Sequence, residues 1–96
     1  MTRGDAFARI EALWRPEIAR LRIPSIGRQE AELLATLAAA AGVRRVLEIG
    51  TAIGYSAAYL SAGAGPGATV DAVEVSPRRA EVARRLAARF GTPGPC

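Results

Sequence analysis

The chain has 96 residues, half of them apolar, and a formal net charge of +4 with no histidine. Compact domains usually run to about 100–150 residues, so this length excludes a multidomain enzyme and predicts one small domain or part of a larger one. Without histidine the chain cannot supply a histidine-based catalytic triad, an imidazole general base or a histidine metal ligand. Every basic residue is arginine, as a GC-rich genome favours, so the positive charge is weak evidence for a nucleic-acid partner.

The cysteine content and the hydropathy of the chain restrict its cellular location and the metal or disulfide sites that it can form. The single cysteine, Cys96, excludes a disulfide framework and a cysteine zinc site. No apolar run approaches the roughly 20 residues that a membrane helix requires, and the N-terminus lacks the pattern of a signal peptide. We therefore expect a cytoplasmic protein without a membrane partner.

A helix is predicted over residues 5–22, where apolar side chains recur at spacings of three and four. Asp5 is the expected N-cap. Pro16 lies inside this segment and is expected to kink it or to start a second helix, because proline lacks a backbone N–H and disfavours helical geometry at the preceding residue. Phe7 and Trp14 are expected to fix the helix on the core.

A second helix is predicted over residues 28–41, after a break at residues 23–27. It stops at Gly42, which is the expected C′ residue. The apolar positions of this helix are Leu33, Leu34, Leu37, Ala38 and Ala41.

Beyond this helix the pattern becomes that of a strand, a helix and a second strand. Residues 43–49 form a short apolar run typical of a buried strand. A helix is predicted to start at Gly54 and to run to residue 62, and residues 68–75 form the second strand after a glycine-rich loop. Connections of this kind are right-handed, so the strands are expected to be parallel and the fold class α/β.

The last predicted helix has Ser76 as its N-cap and Pro77 as its first residue, and it ends at Gly91. Residues 92–96 are expected to form a structureless tail. The apolar stripe of this helix consists of Ala80, Ala83, Leu86, Ala87 and Phe90.

The turn after the first strand carries Gly50 and Gly54, at the place where open α/β sheets bind their ligands. Glycines there allow positive φ and a close approach of a ligand to the backbone, and the following helix offers free N–H groups. The dinucleotide-binding fingerprint fails, because Ala52 and Tyr55 stand where it requires glycine. The phosphate-binding P-loop fails as well, because it requires lysine.

Two carboxylates flank this turn in the predicted fold. Glu48 lies near the end of the first strand, where burial is costly without a partner, so a ligand or loop N–H groups are expected to pair with it. Glu74 ends the second strand, where an acidic side chain can accept hydrogen bonds from both ribose hydroxyls of an adenosine. The alternative for Glu48 is a strand-end charge that reaches water, and the alternative for Glu74 is a solvated carboxylate that helps Ser76 to start the last helix. Together with the glycine turn, the pair favours an adenosine ligand.

Residues 46–57, VLEIGTAIGYSA, closely resemble motif I of S-adenosylmethionine-dependent methyltransferases. They are most similar to the O-methyltransferase branch that includes catechol and caffeoyl-CoA methyltransferases, which typically reads Leu-Glu-(Ile/Leu)-Gly-x-x-x-Gly-Tyr-Ser. Residues 23–27, followed by Glu32-Leu33-Leu34, resemble the segment before the family's first core helix, particularly in bacterial enzymes that methylate a hydroxylated wobble uridine in tRNA. The resemblance covers residues 20–90 and implies the N-terminal portion of a Rossmann-like methyltransferase fold.

The resemblance implies S-adenosylmethionine as cofactor and a role for each motif residue. The glycines would let the backbone approach the methionine part, Tyr55 and Ser56 would hold its amino-acid end, and Glu48 would fix the loop or the ammonium. Glu74 would hold the ribose hydroxyls, and Ile26 would line the pocket. The implied cofactor-binding residues are Glu48, Gly50, Thr51, Ala52, Gly54, Tyr55, Ser56, Glu74 and Ile26.

The resemblance also implies parts that these residues do not contain. The family domain is about twice as long and uses a divalent metal, Mg²⁺, whose ligands are absent here because Asp5 and Asp71 are the only aspartates. We expect an N-terminal helical segment at residues 1–27 and a partial S-adenosylmethionine-binding domain at residues 28–91. The first strand would have a bare hydrophobic edge, which suggests a truncated or frameshifted product or half of a split domain.

Three functions remain open on the sequence. The first is an O-methyltransferase fragment, inactive alone, whose full enzyme acts on a small aromatic hydroxyl or a modified tRNA uridine. The second is a non-catalytic module that binds S-adenosylmethionine or a partner chain, as a homodimer or with a complementing C-terminal half. The third, an arginine-rich nucleic-acid binder, is disfavoured because the arginines are spread out and aromatic residues are few.

Overall fold

The computed structural model describes residues 2–91, and the predicted tail with Cys96 lies outside them. None of the helices in this part of the chain is long and apolar enough to cross a membrane. The elements follow one another as α1 (Arg3–Leu21), α2 (Arg28–Ala41), β1 (Arg45–Ile49), α3 (Tyr55–Ala64), β2 (Thr69–Val73) and α4 (Pro77–Phe90).

The two strands form a parallel sheet, as predicted, with Arg45 opposite Thr69 and Ile49 opposite Val73. Both strands are shorter than the predicted runs at residues 43–49 and 68–75. The ladder ends at the pair of Ile49 and Val73, because the chain turns after β1 and both Gly50 and Thr51 donate their N–H groups to the Val73 carbonyl. Parallel pairing brings the carboxyl ends of both strands to one edge of the sheet.

The start of α1 differs from the prediction. Thr2, not Asp5, is the N-cap, and the two residues form a capping box. The Thr2 hydroxyl accepts the Asp5 N–H at 3.0 Å, and the Asp5 carboxylate accepts the Thr2 N–H at 3.0 Å. The prediction of Asp5 as the N-cap is wrong because Asp5 is the third helical residue, and its carboxylate reaches back to the N–H of the N-cap residue.

Pro16 does not start a second helix, because α1 is continuous across it. Proline inside a helix costs about 3 kcal/mol, and the burial of neighbouring apolar side chains offsets that cost. Trp14 and Ile18 lie in the core on either side of it, whereas Pro16 itself is exposed. Tertiary packing therefore keeps α1 helical despite the proline.

The helix α2 has the predicted bounds and ends at Gly42 with φ +63°. Its predicted apolar stripe is confirmed at Ala38 and wrong at the leucines, since Leu33 and Leu37 are more than half exposed. The buried face consists of alanines, and α3 crosses it so closely that a Cβ on Gly63 would lie 2.1 Å from the carbonyl oxygen of Ala35. Small residues allow the close approach and turn the leucines outward. The buried residues of α2 are Ala31, Ala35 and Ala38.

The helices α3 and α4 match their predicted signals. Gly54 is the N-cap of α3, with φ +87°. The Ser76 hydroxyl caps α4 by accepting the Arg79 N–H at 3.3 Å, and Gly91 ends that helix with φ +93°. The apolar stripe of α4 is corrected at two positions, because Val82 is buried although it was not predicted and Ala80 is only half-buried. Phe90 is half-buried and packs against the core.

A single core joins α1 to the other three helices, and Phe7 and Trp14 lie in it, as predicted. Only one face of β1 faces this core. Leu47 and Ile49 point to the other face and are 69% and 80% exposed, and Val46 and Glu48 are only half-buried, so the prediction of a buried strand is wrong. The largest fully buried side chains are Trp14, Tyr59, Ile10 and Ile53.

Candidate cofactor-binding site

The loop between β1 and α3, residues 50–54, is called the glycine loop. Gly50, Ala52 and Gly54 all have left-handed backbone conformations, with φ of +79°, +55° and +87°. The sequence predicted positive φ at the two glycines but not at Ala52. A left-handed conformation costs a residue with a Cβ about 1–2 kcal/mol, so the surroundings must hold this loop in place.

The end of β2 supplies much of that support. The Val73 carbonyl accepts the Gly50 and Thr51 N–H groups at 2.8 and 3.0 Å. The Glu74 carboxylate accepts the Ala52 N–H at 2.8 Å and the Ser76 N–H at 3.0 Å. These backbone N–H groups, that of Ser76 first, lower the pKa of Glu74, so the carboxylate is ionised. Glu74, predicted to meet ribose, thus also links the glycine loop to the start of α4.

Glu48 and Thr51 place buried oxygens at the same end of the sheet. The Ser56 hydroxyl, in the first turn of α3, donates a hydrogen bond to Oε2 of Glu48. Oε1 of Glu48 and Oγ1 of Thr51 are buried and have no hydrogen-bond partner among residues 2–91. Buried polar atoms are nearly always paired, so two orphaned oxygens beside a glycine loop indicate a missing partner.

Tyr55 is held by α1. Its hydroxyl donates to Oε2 of Glu11, which also accepts the Tyr59 hydroxyl at 2.6 Å. Arg15 donates to the Tyr55 hydroxyl at 2.7 Å, and its guanidinium carbon lies 4.8 Å from the Tyr55 ring centroid. Tyr55 is only 3% exposed, so its side chain is committed to this cluster and only its backbone faces the turn.

The ionisation of this cluster follows from its contacts. Burial by itself would raise the pKa of Glu11, but hydrogen bonds from both tyrosines and the charge of Arg15 hold that pKa below its usual range. Burial, reinforced by the hydrogen bond to Glu11, raises the pKa of Tyr55 to about 12 and raises that of Tyr59 further. A charged carboxylate thus sits between two neutral tyrosines. The sequence reading missed this cluster because Glu11 and Tyr55 are far apart along the chain.

Two clefts meet at Gly50. The first, about 140 Å³, lies between the connection that follows α1 and the glycine loop, and Ile26 stands on its wall with 39% of its surface exposed. Glu48 was predicted near this end, and its partner Ser56 lines the same cleft. The residues that form its walls are Ile18, Ile23, Pro24, Ser25, Ile26, Gly50, Thr51, Ala52, Ile53, Tyr55 and Ser56.

The second cleft, about 490 Å³, lies on the open side of the strand ends. Its walls are mainly aliphatic, with the Glu74 carboxylate beside them, and Val75 is almost fully exposed. Ile49 and Val75 were not among the predicted site residues, although their position at the strand ends could have indicated them. The lining residues are Ile49, Gly50, Val73, Glu74 and Val75.

The donor set fits an elongated ligand with a cationic or polar end and an apolar end. The first cleft is lined by Thr51 and the N-terminus of α3, with Glu48 behind its lining residue Ser56, and the second offers aliphatic surface with one carboxylate. Within residues 2–91 no three His, Cys, Asp or Glu side chains come together as metal ligands would, so this part of the chain does not fit a divalent metal.

A parallel βαβ unit with its ligand loop at the carboxyl ends of the strands defines an α/β protein of the nucleotide-cofactor-binding class. The model of the O-methyltransferase family matches residues 11–93. The chain therefore belongs to the O-methyltransferase family, as its motif predicted.

Individual relatives agree with this assignment. A catechol O-methyltransferase of Mycobacterium tuberculosis is 42% identical over 92% of this chain. The structure of an O-methyltransferase from Bacillus cereus in complex with SAH matches 86% of the chain, with a TM-score of 0.76 and 29% identity. That of an O-methyltransferase of tomaymycin synthesis from Streptomyces achromogenes, in complex with SAM, matches 91% with a TM-score of 0.73 and 27% identity.

The chain spans about two-fifths of the length of these relatives, 40% of the M. tuberculosis protein and 38% of each of the two solved structures. The match therefore concerns the part that carries the glycine loop.

Proposed function

We propose that this chain is the cofactor-binding part of an S-adenosylmethionine-dependent O-methyltransferase. The observation that carries the proposal is the buried Oε1 of Glu48, which has no partner among residues 2–91 and lies beside the first turn of α3. An ammonium group would satisfy this oxygen, and S-adenosylmethionine has one at its amino-acid end. Family relatives in complex with SAM and SAH support the same ligand.

The first cleft would take the amino-acid end of the cofactor. Glu48 would accept the ammonium, and Thr51 would offer its hydroxyl. The backbone N–H groups at Tyr55 and Ser56 belong to the first turn of α3, where they have no partner within the helix and attract a carboxylate. The Tyr55 side chain would take no part, since Glu11 and Arg15 hold its hydroxyl.

The second cleft would take the nucleoside. Each carboxylate oxygen has two acceptor positions, so Glu74 can accept ribose hydroxyls while it still holds the Ala52 and Ser76 N–H groups. Gly50 lies where both clefts meet, and the space for a Cβ at this position is open, so a ligand can pass close to the backbone. Ile26 would cover the ligand from the side of α2.

When bound, S-adenosylmethionine supplies an electrophilic methyl group. The residues of this chain would orient that group and exclude water from one side of it, and the methyl acceptor would be held by residues outside the chain. The name of the M. tuberculosis relative favours a catechol-type hydroxyl over a modified tRNA uridine as acceptor.

Calorimetric titration of the 96-residue chain with S-adenosylhomocysteine tests the proposal. We expect saturable one-to-one binding that weakens about tenfold or more in Glu48→Gln, which keeps the shape but removes the charge. Glu81→Gln serves as the matched control, because Glu81 is an exposed carboxylate on α4 paired only loosely with Arg84 at 3.6 Å. No binding by the wild-type chain, or equal binding by Glu48→Gln, would contradict the proposal.

We further infer that the open sheet face is covered by the remaining part of a methyltransferase domain, supplied as a separate or continuous polypeptide. This apolar face includes Leu47, Ile49, Val73 and Val75, which are 69%, 80%, 48% and 97% exposed. The last three also line the second cleft, so the covering polypeptide would close the open side of that cleft over the nucleoside. Aliphatic side chains of this number on one face are unfavourable in water. The M. tuberculosis relative is a little over twice as long, since the 88 matched residues make up 40% of it, which supports an occupant of the required size.

A binding experiment separates this partner from a homodimer. The 96-residue chain is mixed with a polypeptide that corresponds to the unmatched three-fifths of the M. tuberculosis relative, and the mixture is analysed by size-exclusion chromatography with light scattering. We expect a one-to-one complex that Ile49→Arg abolishes and Leu33→Arg, on exposed α2, leaves intact. A homodimer of the chain alone, sensitive to Ile49→Arg, would overturn the assignment of the occupant.

A further inference from the structure

Trp14, the only tryptophan of the chain, connects α1 to the glycine loop. Its indole N–H donates a hydrogen bond of 2.7 Å to the carbonyl oxygen of Ile53, and the contact is buried. The side chain is 1% exposed and packs edge-on against Phe90, with ring centroids 5.9 Å apart. A Cβ on Gly54 would lie 3.8 Å from the indole nitrogen, so the ring lies directly against the end of the loop.

This bond acts on a part of the loop that β2 does not reach. Val73 and Glu74 hold the N–H groups of Gly50, Thr51 and Ala52. The peptide unit between Ile53 and Gly54 is held by the indole on its carbonyl side and by the Thr51 carbonyl, 2.9 Å from the Gly54 N–H, on the other. Because a peptide unit is planar, fixing the carbonyl also fixes the N–H and the entry into α3.

We propose that Trp14 is a positioning residue for the cofactor site. It does not touch the ligand; its indole N–H sets the orientation of the Ile53–Gly54 peptide and hence the direction in which the first turn of α3 presents its N–H groups. The inference rests on the proposed S-adenosylmethionine site and extends it to α1, a helix that contributes few residues to the clefts.

The role as a donor can be separated from the role in packing. Trp14→Phe keeps a buried aromatic ring but removes the indole donor, leaving the Ile53 carbonyl buried without its partner. Phe7→Leu is the matched control, because Phe7 is a buried aromatic residue of the same helix that packs against Tyr59 and not against the loop. Both variants weaken the core, and only the first loosens the loop.

The experiment measures binding of S-adenosylhomocysteine by calorimetry and amide hydrogen exchange at residues 50–54, in the wild type and both variants of the 96-residue chain. We expect Trp14→Phe to bind about five- to tenfold more weakly and to exchange its loop amides faster by a similar factor. Phe7→Leu is expected to bind within about twofold of the wild type at comparable thermal stability. In the wild-type chain, Trp14 fluorescence should shift on saturation with the ligand, because no other tryptophan contributes.

The outcomes distinguish this inference from the function on which it rests. If Trp14→Phe binds like the wild type and its loop amides exchange at the wild-type rate, the inference is overturned. If Phe7→Leu weakens binding as much as Trp14→Phe, the effect is one of stability and the inference is overturned as well. If the wild-type chain does not bind the ligand, the proposed function fails, and faster loop exchange in Trp14→Phe alone would still show that the indole fixes the loop.

Discussion

The backbone N–H of Ala52 donates a hydrogen bond of 2.8 Å to the carboxylate of Glu74, so the residue that follows β2 holds the loop that follows β1. Ala52 has φ +55°, a conformation that this contact helps to maintain. The same carboxylate accepts the Ser76 N–H and so joins the two turns at the carboxyl ends of the strands. The geometry of the candidate site therefore depends on a side chain whose predicted roles were a ribose contact or the start of α4, and which also holds the glycine loop.

Replacement of Glu74 by alanine should disturb both the loop and the ligand contact. We expect S-adenosylhomocysteine to bind about tenfold or more weakly to Glu74→Ala, because the Ala52 N–H loses its acceptor and the ribose loses a carboxylate. Glu81→Ala, on the exposed face of α4, should bind like the wild type. Calorimetry measures both, and undiminished affinity in Glu74→Ala would show that the loop holds its shape without this contact.

The crossing of α2 and α3 should not tolerate a larger residue at Gly63. A Cβ there would lie 2.1 Å from the carbonyl oxygen of Ala35, so the helices must move apart. We expect Gly63→Ala to lower the free energy of unfolding by about 1–3 kcal/mol, measured by urea denaturation. Gly67→Ala is the control, since nothing lies within 4 Å of the added Cβ, and its unfolding curve should match the wild type. Equal stability of both variants would contradict the described packing.

Glu11 should stabilise the fold in a pH-dependent way. Its pKa lies below the ordinary value of 4.5, so its contribution is present above that pH and is lost as the pH falls through the folded-state value. We expect Glu11→Gln to cost about 1–3 kcal/mol at pH 7, because the carboxylate accepts two tyrosine hydroxyls, and the difference from the wild type to shrink below pH 4.5.

Urea denaturation across this pH range measures the Glu11 effect, and Glu17→Gln provides the comparison. Glu17 pairs with Arg20 at 2.7 Å on the exposed side of the same helix, where an ion pair contributes little. A constant difference between Glu11→Gln and the wild type from pH 7 to acid would contradict an ionised Glu11.

The two tyrosines should resist ionisation. Burial and the hydrogen bond to Glu11 raise the pKa of Tyr55 to about 12, and that of Tyr59 is raised further. The chain contains no other tyrosine, so near-ultraviolet absorbance of the folded protein should show little tyrosinate at pH 10, the ordinary pKa. Stability from the neutral hydroxyls is present below pH 10 and is lost as the pH rises above it. If half of the tyrosine were ionised at pH 10 in the folded chain, the hydroxyls would be exposed to water and this prediction would be wrong.

Local signals in the sequence determined most of the secondary structure. Gly42, Ser76, Pro77 and Gly91 mark helix ends where the structure has them, because capping depends on neighbouring backbone groups alone. The motif at residues 46–57 likewise identified the family, since the glycine loop that it specifies is a local structure.

Burial was decided by tertiary packing. The sequence placed the leucines of α2 on its apolar face, but the close crossing at Gly63 selects the alanine face instead. The exposure of the side chains also alternates along β1, because the helices cover only one face of the sheet and leave Ile49 80% exposed. Periodicity shows which residues share a face and cannot show which face finds a neighbour.

The sequence by itself determined the order of elements, the glycine loop and the carboxylates that flank it, because each depends on residues close together in the chain. Only the tertiary structure assigned Trp14 to the Ile53 carbonyl and Glu11 to Tyr55, contacts that span 39 and 44 residues. Hydrogen bonds between residues so far apart produce no periodic pattern in the sequence, since they depend on how α1 packs against the glycine loop and α3. The position of α1 therefore adds the Trp14 contact at Ile53 to the support that the glycine loop receives from the end of β2.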